Sequence, residues 1–279
     1  MADTEQSRAS DSSTAASGCD PDFDTRSSYP ETADIETSND DYATRFRGAT
    51  GAWMLEMQER GVLRLLRSGS NPVLPGSTVL DIGGGHGQLA KPLCRDGYRV
   101  EVLGSAPSCR HRIRELVDAG VCAFRVGNVI ELPYPDNSFD AVVAVRMLTH
   151  CDAWPQLVRE MCRVSRGPVI TDYPTSQSLN AIAPALFAAK KKYERNTRKW
   201  TLFRHREVLD GFAAAGYCRT GRFAQFFLPM VVHRALKCRA VSAFAERICR
   251  LLGLTRLWGT PVIIRMDPAE ARTKQDSSR

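Results

Sequence analysis

The chain has 279 residues, of which 43% are hydrophobic and 25% charged, enough apolar content for the core of one substantial domain with appendages. No run approaches eighteen consecutive apolar residues, and the first thirty lack the basic and apolar blocks of a signal peptide, so neither a membrane span nor secretion is indicated and a cytoplasmic protein is expected. The net charge of +7 is uneven: residues 1–41 hold eleven acids against Arg8 and Arg26, which leaves a strongly basic remainder suited to anionic substrates, nucleic acid or a membrane surface, or to solubility alone.

Residues 1–41 are rich in Ser, Thr, Asp, Glu and Ala and poor in bulky apolar groups. They cannot bury enough surface to offset the entropy of ordering, so the composition predicts a disordered acidic tail. From Tyr42 to residue 75 an N-terminal helical segment is expected, with Leu55, Val62 and Leu66 on one face between Ala52 and Arg67 and Gly61 as a weak point. Pro72, Pro75 and Gly76 then mark a turn.

Short apolar strands now alternate with helical stretches, the pattern of a parallel α/β sheet. Strands are predicted at Thr78–Ile82, Arg99–Leu103, Cys122–Val126, Asp140–Val145 and Pro168–Thr171. Helices are predicted from Gly87 to Arg95, after a Ser108 cap, and after an Asp152 cap with Pro155 in the first turn. Asp140–Val145 is nearly continuous in apolar residues, as a strand buried on both faces should be. Two insertions, at about 174–200 and 231–253, flank a helix at His205–Ala215 and a strand within Tyr217–Leu228. Thr260–Met266 is the last strand, and residues 269–279 read as a flexible tail.

The chemistry concentrates at Val79-Leu80-Asp81-Ile82-Gly83-Gly84-Gly85-His86-Gly87. Gly83, Gly85 and Gly87 let the backbone approach a ligand and adopt positive φ, and the helix start beyond them presents free N–H groups to an anion. No Lys-Ser or Lys-Thr follows, which excludes a phosphate-binding P-loop. Gly85-His86-Gly87-Gln88-Leu89-Ala90 also satisfies the dinucleotide pattern G-x-G-x-x-A, but Glu101, near the spacing for a ribose acid, falls mid-strand between Val100 and Val102.

The stretch from Asp81 to Gly87 resembles the first motif of class I S-adenosylmethionine-dependent methyltransferases, D-x-G-x-G-x-G. The similarity continues through Val126–Asp140 and Arg146-Met147-Leu148-Thr149-His150, over roughly residues 76–175, and is greatest to small-molecule enzymes of the quinone-biosynthesis-like, methyltransferase type 11 group. The resemblance implies an α/β, doubly wound, mostly parallel seven-stranded Rossmann-like sheet with helical insertions after strands five and six, forming a methyltransferase domain over 76–268. It implies S-adenosyl-L-methionine as cofactor and methyl transfer by in-line displacement to a small anionic or lipophilic acceptor, with no metal. Asp81 would hold the cofactor ammonium; Gly83, Gly85, Gly87, Asn128, Val129 and Arg146 would border it; and Tyr42 and Arg45 stand where relatives fold a segment over the cofactor.

Two positions depart from that pattern. Gly104, followed by Ser105, stands where relatives end their second strand in a ribose-binding acid, and Asn128 replaces the third-strand acid. Loss of a charge-assisted hydrogen bond of about 1.5–3 kcal/mol leaves open a non-catalytic, methyltransferase-like binding protein with a decayed adenosine site. Because the sulfonium is already activated, a base is needed only where the acceptor must lose a proton; His150, beyond the fourth strand, is the candidate by topology. His86 reads as a pocket residue, and His111 and His233 as packing or surface groups. Lys190–Trp200 interleaves basic and aromatic residues, as nucleic-acid and anionic-lipid binders and ordinary solvated helices all do. Val231–Gly253 pairs Val241, Phe244, Ile248 and Leu251 with Arg234, Lys237, Arg239, Arg247 and Arg250, which suits membrane contact, a lid or simple packing. The nine cysteines are never closer than eleven residues, so neither a zinc knuckle nor a disulfide framework is expected.

Overall fold

A computed structural model describes residues 27–84, 87–179 and 201–269. Its centre is Ala141–Ala144 (β4), buried at every position because helices cover both faces of the sheet there. Around it lie Thr78–Ile82 (β1), Arg99–Gly104 (β2), Cys122–Val126 (β3), Val169–Tyr173 (β5), Tyr217–Phe226 (β6) and Thr260–Pro268 (β7). The strand order is β3-β2-β1-β4-β5-β7-β6, with β7 antiparallel to both β5 and β6 and the other pairs parallel. The order reverses between β1 and β4, which opens a crevice at their carboxyl ends, the place where open α/β sheets bind ligands.

Period-two alternation sends successive residues into two apolar layers. Leu80, Val142 and Ile264 pack under Trp154–Val164 (α6) and His205–Ala214 (α7). Val79, Val143 and Ile263 pack under Gly48–Leu66 (α3) and Ala90–Arg95 (α4). Gly61, expected as a weak point of α3, is where the helix lies flush on the sheet. A Cβ there would stand 2.6 Å from both Ile263 Cδ1 and Phe223 Cδ1.

Arg265 on β7 is fully buried. Its guanidinium donates to the carbonyls of Leu65, Leu66, Ser68 and Asn71 and to both carboxylate oxygens of Asp267. It thus satisfies the open C-terminal carbonyls of α3 and ties the following linker to the sheet.

The N-terminal region departs from expectation. Residues 33–38 and 40–44, of which all but the last three were expected in a disordered tail, form helices (α1, Ala33–Ser38; α2, Asp40–Thr44). The acids themselves provide the anchoring that apolar residues could not. Glu31 Oε1 accepts from the N–H of Ala153 at the start of α6, Asp34 binds beyond β2, and Asp40 pairs with Arg112. Glu31 thereby serves the α6 N-terminus in place of Asp152, and Ala153 is the N-cap residue.

Ser108 caps nothing: Pro107–Ile113 is a 3-10 helix leading into Arg114–Asp118 (α5), and the Ser108 hydroxyl has no partner. The second insertion is two helices, Met230–Leu236 (α8) and Arg239–Leu251 (α9), broken at Lys237 in the left-handed region, followed by Leu254–Trp258 (α10). Residues 180–200, and with them Lys190–Trp200, lie outside the described residues, as do most of the tail and residues 270–279. Among the described residues no helix is long and apolar enough to cross a membrane.

Candidate active site

The strand β1 ends in a turn that glycine makes possible. Gly83 and Gly87 both have φ +69°, Gly83 N–H donates to Leu103 O at 2.8 Å, and Gly87 N–H to Gly84 O at 2.7 Å. Side chains are excluded as well: a Cβ on Gly83 would stand 2.2 Å from Met147 Sδ, and one on Gly84 would stand 2.5 Å from Asp81 Oδ2. Gly85 and His86 lie outside the described residues.

Behind the turn, Asp81 is buried and its Oδ2 has no hydrogen-bond partner. Burial pushes its carboxyl up to about 7, and nearby Arg146 pulls the other way. Arg146 is a non-glycine residue at φ +60°. Asp172 Oδ1 holds this strained backbone by accepting from the Arg146 N–H at 2.6 Å, while Asp172 Oδ2 accepts from Gln58 Nε2. The Arg146 side chain donates to Gln88 Oε1 and lies under the rings of Phe46 and Tyr42, at 5.1 and 5.7 Å. Its Nη1 is buried without a partner. Desolvation raises the Asp172 carboxyl too, against the lowering effect of Arg146.

Thr37, Asp81, Gly83, Gln88, Arg146 and Met147 line a cavity of about 20 Å³, room for one water molecule. The N-terminal strap, α1 and α2, contributes Thr37 to this lining and sets the Tyr42 ring against Arg146, with Arg45 stacked on Tyr42 at 5.0 Å.

At the end of β2 the missing acid has a steric reason. A Cβ on Gly104 would stand 2.5 Å from Cys109 Cβ. The carboxylate present there comes from elsewhere: Asp34, fully buried, accepts the backbone N–H of Ser105 at 2.6 Å, the Ser105 hydroxyl and the Cys109 thiol. Asp34 was not legible as a site residue, since nothing in a Ser- and acid-rich stretch distinguishes a docked carboxylate from a solvated one. Gln88, Thr37 and Asp172 were also missed.

The structure therefore brings Asp81, Gly83 and Arg146 together around one cavity, with Tyr42 against Arg146 and Arg45 stacked on Tyr42. Gly87 packs toward Arg112 and Ile113, and Ser105 meets Asp34 of α1. Asn128 and Val129 follow β3; Asn128 Oδ1 accepts from the N–H of Ile130 at 3.2 Å, and Val129 is buried. Neither lines the cavity. His150, half-buried, ends a 3-10 turn begun at Leu148, beside the cavity residue Met147. Among the described residues no three His, Cys, Asp or Glu side chains converge as for a metal ion.

Comparison with known proteins adds three findings. Residues 80–167 match the family model described as a methyltransferase domain. Among curated relatives, 2-methyl-6-phytyl-1,4-hydroquinone methyltransferase of Synechocystis is 29% identical over 136 residues, 48% of this chain and 43% of that protein. The ubiquinone/menaquinone biosynthesis C-methyltransferase UbiE of Laribacter hongkongensis is 37% identical over 100 residues, 33% of this chain and 40% of that protein. The chain thus spans less than half the length of these two relatives. Among solved structures, magnesium protoporphyrin IX methyltransferase from Synechocystis, with bound SAH, superposes with TM-score 0.56 at 13% identity, over 84% of this chain and 97% of that one. The [4+2]-cyclase SpnF superposes with TM-score 0.51 at 19% identity, over 78% and 80%. Likeness at this level concerns the fold alone, and a fold can host several chemistries.

Proposed function

We propose, from the match of residues 80–167 to the methyltransferase-domain model, that this chain binds S-adenosyl-L-methionine beneath the N-terminal strap and moves its methyl group to a small lipophilic acceptor. The observation that carries the reading is a pair of opposite, partnerless atoms in one cleft: Asp81 Oδ2 and Arg146 Nη1. A buried charge without a partner is costly, and an amino-acid zwitterion supplies both missing partners, ammonium to Asp81 and carboxylate to Arg146. Glycine at 83 and 84 lets Met147 and Asp81 pack directly against the turn, which sets the Asp81 carboxylate beside the backbone that would meet the ligand.

Asp34 completes the adenosine side. It brings to the end of β2 the carboxylate that Gly104 has no space to carry, and we assign it the ribose hydroxyls, with Asn128 and Val129 bordering the base. When bound, the cofactor supplies an activated methyl group; the chain's own residues position it, and Tyr42 and Phe46 keep water out. His150 takes the proton where the acceptor is a hydroxyl. Acceptor class rests on the quinone-pathway relatives named above.

A second reading, a binding protein with no turnover, draws on the small closed cavity. Titration calorimetry with S-adenosylhomocysteine separates the readings for the cofactor: no heat and no thermal shift at millimolar ligand sinks the methyltransferase assignment. Binding followed by radiolabelled methyl transfer to prenylated phenols establishes it. Asp34→Asn should weaken the ligand by about ten- to a hundredfold, the loss of one charge-assisted bond. Tighter binding by Asp34→Asn would instead show that α1 occupies the ligand's place, and the ribose assignment would fall.

A further inference from the structure

Helix α9 (Arg239–Leu251) is inside out. Its buried face carries Ser242 and Glu246, while Val241, Phe244, Ile248 and Leu251 form an exposed stripe at spacings of three, four and three, with Phe244 66% and Leu251 78% exposed. The cause is Glu246. Its buried carboxylate accepts the N–H groups of Phe227 and Leu228 and meets the buried His233 Nε2 at 3.1 Å. That polar anchor fixes the helix rotation and leaves the apolar stripe outward. Neighbours extend the stripe: Val231 and Leu236 on α8, Leu252 before α10, and Leu257 and Trp258 on α10 are all exposed. An apolar surface of that extent marks an interaction site.

Charge identifies the occupant. From Phe227 to Trp258 the chain has six basic residues, Arg234, Lys237, Arg239, Arg247, Arg250 and Arg256, and one acid, Glu246, which is buried. Apolar residues flanked by cations, with no exposed acid among them, are complementary to a negatively charged bilayer surface. Arg239 pairs with Glu56 of α3 and Arg250 turns back to the carbonyls of Ala224 and Gln225, so the exposed Lys237, Arg247 and Arg256 carry the outward charge of the face. A protein partner or second copy would have to bring its own acids to meet it.

We propose that α8–α10 form a docking face for an anionic lipid bilayer. The face adjoins the cleft: Arg234 of α8 lies over the Phe46 ring at 5.9 Å, and Phe46 lies over Arg146 at 5.1 Å. On the methyl-transfer reading above, a lipophilic acceptor would reach Arg146 past Arg234 from the membrane without crossing water. Docking itself does not depend on that reading, and its test is independent of cofactor.

Flotation with phosphatidylcholine vesicles, with and without phosphatidylglycerol, tests the face on the full chain. The protein should float with the anionic vesicles, release with rising salt, and float little with the neutral ones. Phe244→Glu with Leu251→Glu should abolish flotation; Lys237→Ala and Arg247→Ala should each weaken it about fivefold. These side chains are exposed, so unchanged melting confirms the fold. The proposal fails if the chain ignores anionic vesicles at low salt. It also fails if sedimentation shows a dimer that Phe244→Glu dissociates and vesicles leave intact, which would assign the face to a second copy.

Discussion

Asp81→Asn should remove S-adenosylhomocysteine binding, by about a hundredfold or more, and at the same time raise the melting temperature of the ligand-free protein above neutral pH. Both effects follow from one unpartnered oxygen. The folded-state pKa is raised from 3.8 to about 7 by burial, with Arg146 only partly offsetting it. A carboxyl raised on folding contributes stability that is complete below its unfolded pKa and is lost as pH rises through the folded one. The ligand-free wild type should therefore lose stability between pH 4 and pH 8, on the order of 4 kcal/mol at about 1.4 kcal/mol per unit. Asparagine has no charge to desolvate and should not show that loss. Melting curves of both proteins across this range check it, and parallel profiles would overturn it. Ligand affinity of the wild type should rise over the same interval as the carboxylate forms, because the ammonium needs the ionised acid.

Arg265→Ala should cost about 3–5 kcal/mol of stability, the usual loss when one member of a buried, hydrogen-bonded ion pair is deleted. The residue is surrounded on β7 by Ile263, Ile264 and Met266, all buried, so nothing replaces the guanidinium. Asp267 would keep a shielded carboxylate, and the carbonyls of Ser68 and Asn71 would lose the guanidinium, while those of Leu65 and Leu66 would keep the N–H groups of Ser68 and Val73. Urea unfolding measures it as a lower midpoint at an unchanged slope. A loss below about 1 kcal/mol would mean that water fills the site at little cost.

The sheet was readable because its signal is local. Thr78–Ile82 and Cys122–Val126 begin and end where their apolar runs do, and the glycine turn follows β1 with the expected Asp81 behind it. What escaped the sequence depends on distant partners. Val-Ile-Ile-Arg-Met reads as a strand with one polar position, and only the end of α3 explains why Arg265 points inward. Glu246 looks like the solvated side of an amphipathic helix; the free N–H groups of Phe227 and Leu228 reverse that. The acids at 31, 34 and 40 lower the apolar content of their segment, which argues for disorder, yet Ala153, Ser105 and Arg112 give them buried or charged partners. Composition counts charges without knowing what they meet.

That misreading has a consequence for protein engineering. A designer comparing this chain with its relatives would mark Gly104 as a defect and restore the family acid. Gly104→Asp should do harm, since its Cβ would press on Cys109 at 2.5 Å and its carboxylate would face that of Asp34, two negative charges sharing one set of donors. Consensus repair usually stabilises proteins. On the ribose assignment proposed above, an alignment column and a place in space have come apart, with the carboxylate beside Ser105 carried by α1.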